Sequence, residues 1–163
     1  MSVRDGLLAE YDHEIATTRK LLERIPDDRL TWKPHTKSRA LGELATHISS
    51  LPEWGLTILS STSFDLNDVP PGSPALSSRA EILAQFDAVT ARTRAAMDKT
   101  DPEYVTMWTL KRGGHEMFSM PRVASFRSFV LSHLIHHRGQ LSVYLRLNDV
   151  PVPAIYGPSA DEG

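Results

Sequence analysis

His133 and His137 stand four residues apart in the C-terminal stretch SFRSFVLSHLIHHRGQLSVYLRL, whose apolar residues recur every three or four positions. Phe126, Phe129, Val130, Leu141, Tyr144 and Leu145 share that period, so a helix here places both imidazoles on the face that packs inward. Side chains at i and i+4 lie one above the other, and two ring nitrogens can then converge on one metal ion. His47 holds a matching place in a second stripe, made of Leu41, Leu44, Ile48, Leu51 and Ile58. A lone histidine on an apolar face is more often a hydrogen-bonded core residue than a ligand. Three of them on two helices, in a chain without cysteine, point instead to a metal.

Imidazole suits zinc, nickel, iron or copper. We expect a divalent ion, zinc or nickel first, with iron or manganese as the other candidates. Three neutral ligands leave a coordination position open and the ion's charge undiminished, so a coordinated water or thiol would ionise near neutral pH. Two familiar metal classes do not fit. The zincin motif needs Glu after its first histidine, where this chain has Leu134. Di-iron bundles need two Glu-x-x-His motifs; Glu10 and His13 make one such spacing, and no carboxylate lies between Glu116 and Asp149. Hydrolysis by a bound hydroxide would want a general base, and Glu43 and Glu53 are the helix-two candidates. His136 lies on a different side of the helix from the pair and reads as a supporting or surface residue. His13, His35 and His115 read as solvated, and Arg138 and Gln140 as bridging residues.

The elements that must position these side chains are helices. A chain of 163 residues makes one domain, taken here as 1–163, and buries about 70% of its unfolded surface. Zero cysteine excludes a disulfide framework and a cysteine nucleophile. A net charge of −2 and scattered basic residues disfavour nucleic acid. The charged start, MSVRDGLLAEYDHE, carries neither a signal peptide nor a membrane span, and a cytoplasmic protein is expected.

Apolar spacing predicts a first helix over 3–25, capped by Ser2 and stopped by Pro26. A second is expected from Ser38 to about 60, kinked by Pro52 one turn after His47. Residues 61–76, with three prolines, one glycine and four Ser/Thr, read as a loop. Ser78 and Glu81 form a capping box for a third helix with Ile82, Phe86, Val89, Thr93 and Met97 on its inner face. TMWTLKRGGHEMFSM predicts a small β-hairpin turning at Gly113-Gly114, and Pro121 opens the fourth helix. The fold class is all-α, a four-helix bundle. Its second helix spans about 33 Å and the following loop reaches about 50 Å, enough to return along the bundle and leave helices two and three parallel. The tail PVPAIYGPSADEG, broken by three prolines, reads as a strap packed on the bundle, with Tyr156 within it.

LGELATHISSLPEWG, HLIHHRGQLSVYLRLNDVPVPAIYGPSADE and the Trp32 and Pro34 positions together resemble the DinB/YfiT-like metalloprotein superfamily over nearly the whole chain. The resemblance implies an up-down-down-up four-helix bundle and a divalent metal bound by His47, His133 and His137. It implies a small-molecule substrate and, more loosely, a transferase or isomerase using a low-molecular-weight thiol such as mycothiol, bacillithiol or glutathione. A metal-dependent hydrolase and a stress-linked metal-binding protein without turnover are the competing readings. A homodimer is also implied, with weak support from the many apolar residues of the hairpin (Met107, Trp108, Leu110, Met117, Phe118, Met120).

Overall fold

The computed structural model describes residues 2–69 and 74–162. The loop reading of 70–73 lies outside the described residues. Helix α1 runs Val3–Leu22 and opens as expected: Ser2 Oγ accepts from Asp5 N at 3.1 Å while the Asp5 carboxylate reaches back to Ser2 N. It ends three residues earlier than its periodicity suggests, yet Ile25 stays fully buried beyond the helix.

The second helix differs most from expectation. It is two helices, α2 (Leu41–Ser50) and α3 (Glu53–Ser60), broken at Leu51-Pro52. Proline has no N–H for the Ile48 carbonyl, and the chain restarts through Trp54 N to Leu51 O (3.1 Å) and Gly55 N to Pro52 O (2.9 Å). Thr93 Oγ1 donates to the Pro52 carbonyl at 2.8 Å, so the break is held from across the fold. Ser38 is not the cap. The first amides of α2 donate to the preceding loop, Leu41 N to Trp32 O (2.9 Å) and Gly42 N to Leu30 O (2.8 Å), while Glu43 accepts from Ala40 N at 2.6 Å.

Helix α4 (Arg79–Ala96) is capped by Ser78, whose Oγ accepts from Glu81 N. The Glu81 carboxylate returns to Ser77 rather than to Ser78, so the box is only half formed. A short α5 (Asp101–Val105) leads into a small sheet. Strands β2 (Met107–Arg112) and β3 (His115–Pro121) form the expected hairpin, with φ of 58° at Gly113 and 80° at Gly114. A third strand, β1 (Ser63–Asp65), lies within the stretch read as loop and pairs parallel to β2. Its Asp65 carboxylate accepts from Gly113 N and Gly114 N at 2.9 and 2.6 Å. The molecule is therefore mostly helical with a small three-stranded sheet, rather than purely α.

The final helical stretch has three parts: α6 (Arg122–Phe126), a π-helical segment (Arg127–Ser132) and α7 (His133–Leu147). Helices α1 and α2 each pack on both α4 and α7. Leu21, Leu44, Ile48, Phe86, Leu134 and Leu141 fill the space between them. A second core, around Tyr11, Ile58, Trp108, Phe126 and Val130, joins α1 and α3 to the sheet and the π segment. No helix among the described residues is long and apolar enough to cross a membrane.

Candidate metal centre

His47 sits in the last turn of α2, just before the Pro52 break; His133 opens α7, and His137 follows one turn later. Because α2 packs against α7, the three half-buried rings meet. Their centroids lie 4.6 Å (His47–His137), 4.7 Å (His133–His137) and 5.3 Å (His47–His133) apart. One ring nitrogen from each lies within 4.8 Å of the others.

Hydrogen-bond partners set the tautomers of two of the rings. His137 Nδ1 is 2.7 Å from Gln140 Oε1, an acceptor, which places the proton on Nδ1 and the lone pair on Nε2. That Nε2 faces His133 Nε2 at 3.0 Å. The Phe129 carbonyl, one turn before His133, favours a proton on that ring's other nitrogen. Two Nε2 lone pairs turned on each other repel unless a cation lies between them. Charge points the same way. Burial, then Arg39 and the other two rings, pushes His47 down to about 4. Burial also lowers His133, reinforced by His137 and His136, and lowers His137, partly offset by Gln140. At neutral pH the donor set is three uncharged imidazoles, which fits a divalent ion of the zinc or nickel type.

The π-helical segment ends where His133 begins, and sequence periodicity does not reveal it. A π turn is wider than an α turn, so it changes the phase between Phe126 and the histidine pair. It carries Phe129, which stacks on Phe118 (5.4 Å, 11°) and approaches Trp54 and Trp108. This aromatic cluster fastens the histidine-bearing helix to the sheet and to α3.

The other candidates fall elsewhere. His136 is exposed and only flanks His137, its ring 4.9 Å away. His13, His35 and His115 are exposed. Arg138 points away into the core, 1% exposed, pairing with Glu14 at 2.6 Å. Tyr156 from the C-terminal strap donates to the same carboxylate at 2.8 Å. His47 borders an open cavity of about 880 Å³ between α2 and α4, shared with Glu43 and Glu53. Both carboxylates are already engaged, Glu43 at the α2 cap and Glu53 with Arg92 at 3.0 Å. A smaller depression of about 190 Å³ is bordered by His137 and Gln140. Arg39 lines both, and no sequence pattern marks it.

Known proteins share this arrangement's framework. A DinB-like protein of Bacillus cereus superposes with a TM-score of 0.71 at 25% identity, over 93% of this chain and 97% of its own. A DinB-like protein of Bacillus subtilis gives a TM-score of 0.69 at 18% identity, over 90% and 96%, a likeness of fold alone. In sequence the chain is 27% identical over 160 residues to the uncharacterised protein YrdA of Bacillus subtilis, covering 97% of this chain and 90% of that one. The sequence profile of the DinB family matches residues 1–163, the full span on which the helix pair and its three histidines are built, and the chain belongs to that family.

Proposed function

We propose that the protein binds one divalent metal ion through His47, His133 and His137, and uses it as a transferase or isomerase acting with a low-molecular-weight thiol. The observation that carries the metal reading is the convergence of three ring nitrogens within 4.8 Å. When bound, a divalent ion with three neutral ligands acidifies a coordinated thiol at neutral pH. The chain's own groups prepare for this. Gln140 holds the proton of His137 on Nδ1, and burial keeps all three rings uncharged and ready to donate. The wide cavity beside His47 gives room to hold a thiol and its electrophile together. Hydrolysis would draw its general base from Glu43 or Glu53, which already hold the α2 cap and Arg92, whereas thiol transfer asks for no such base.

The same reading takes the chain as one cytoplasmic domain, 1–163, with helices connected up-down-down-up. It also takes the protein as a homodimer. Met107 and Met117 on the hairpin and Val105 beside it are each about half exposed or more, which supports a covered face there. Sedimentation showing a species of only 18.2 kDa would remove the dimer.

Elemental analysis after metal loading tests the site. One ion per chain is expected in the wild type, and a sharp loss in His137→Ala, since two imidazoles hold an ion far less tightly than three. Full stoichiometry in that variant would overturn the assignment.

A further inference from the structure

Arg39 stands just before α2, its carbonyl accepting from Tyr144 Oη at 3.3 Å and the next residue's amide donating to the Glu43 carboxylate at 2.6 Å. It lines both the large cavity beside His47 and the small depression beside His137, so it spans the two approaches to the histidine cluster. Its positive charge is felt by all three rings. Among the described residues, Arg39 forms no ion pair and its side chain makes no hydrogen bond, although the other charged groups of the cavity are engaged: Arg92 with Glu53 and Glu43 with the α2 cap.

Arg39 is solvent-exposed, so its guanidinium rests in water and is free to meet an anion that enters the cavity. The cavity's two arginines and two glutamates cancel, and three neutral imidazoles add nothing. A divalent ion on the imidazoles would therefore leave the site with two uncompensated positive charges beside a free guanidinium. A thiolate neutralises one; a second negative group on the same molecule neutralises the other. Guanidinium presents a planar fork that matches a carboxylate with two parallel hydrogen bonds.

We propose that Arg39 anchors a carboxylate of the thiol cosubstrate, so that the site selects an anionic thiol whose sulfur would reach the ion that His47, His133 and His137 would hold. This rests on the thiol reading above and names the class of thiol.

The probes are 3-mercaptopropionate and its neutral isostere 3-mercaptopropionamide, titrated calorimetrically into zinc-loaded protein. The sulfur-to-metal charge-transfer band of the cobalt-loaded form provides a second readout. Wild type should bind the carboxylate thiol about tenfold to a hundredfold more tightly than the amide, as a charge-assisted pair warrants. Arg39→Ala should abolish that preference while leaving the amide's affinity and the metal content unchanged, and Arg39→Lys should restore it in part. Equal binding of both probes by wild type, or a preference that survives in Arg39→Ala, overturns the anchor and leaves the thiol reading standing. Binding of neither probe to protein carrying one ion per chain overturns both.

Discussion

At the scale of single residues, the centre is governed by where protons are not. A histidine buried without a carboxylate partner loses hydration as a cation and gains nothing in return, so burial is the leading cause of the downward shift in all three rings. This has a consequence for the metal-free protein. Its folded state resists protonation at His47 until pH approaches about 4, whereas the unfolded chain takes up protons near the ordinary value of 6.5. The unfolded state therefore binds more protons between those values, and stability is retained above pH 6.5 and lost as pH falls towards 4. Denaturant unfolding of metal-free protein across that range should show the decline, and His47→Phe should flatten it; a decline of the same slope in the variant would refute the attribution. The histidine trio is legible in sequence because its i,i+4 spacing and its place in apolar stripes are local signals. Arg39 is not, because a basic residue ahead of a helix has no distinguishing pattern until the fold sets it between two cavities.

At the scale of elements, the site depends on two interruptions of regular helix, one on each side. Pro52 ends α2 beyond His47, and the π segment ends at His133. The proline is visible in sequence and its effect underestimated: a kink is expected, and a break occurs, with the chain restarting through the Leu51 turn and Thr93 holding the Pro52 carbonyl. The π segment is invisible, since Phe126, Phe129, Val130 and His133 fit an α period well enough. Strand β1 is missed for a different reason. Its partner β2 lies more than forty residues on, and parallel pairing leaves no turn signal nearby. Gly55 shows how closely α3 is held. A Cβ there would lie 2.5 Å from the Thr93 methyl and 2.8 Å from the Phe126 ring. Gly55→Ala should cost about 1–3 kcal/mol by overpacking, seen as a lower Tm, whereas Gly139→Ala, with open space around it, should not destabilise. Equal Tm values for Gly55→Ala and wild type would contradict the packing.

For the whole molecule, the C-terminal strap and the first helix meet behind the site. Arg138, the residue after His137, is buried against Glu14 of α1, its guanidinium also reaching the Glu14 carbonyl and Thr18 Oγ1, each at 3.2 Å. Tyr156 closes the group from the strap, its hydroxyl bonded to Glu14 and its ring 5.0 Å from the guanidinium. Removing one partner of a buried pair strands the other charge, so Glu14→Ala should destabilise by about 3–5 kcal/mol in denaturant unfolding. A loss under about 1 kcal/mol would mean that water replaces the pair freely. The strap is readable from its prolines, its clasp on Arg138 is not.

The ligand set is the property on which every activity of the centre depends. X-ray absorption at the zinc edge of the loaded protein reads it directly. Three histidine nitrogens at about 2.0–2.1 Å and one light-atom ligand from solvent are expected, with that ligand replaced by sulfur at about 2.3 Å when a thiol is added. Fewer than three imidazoles, or a fourth protein ligand that thiol cannot displace, would contradict an open centre built from His47, His133 and His137.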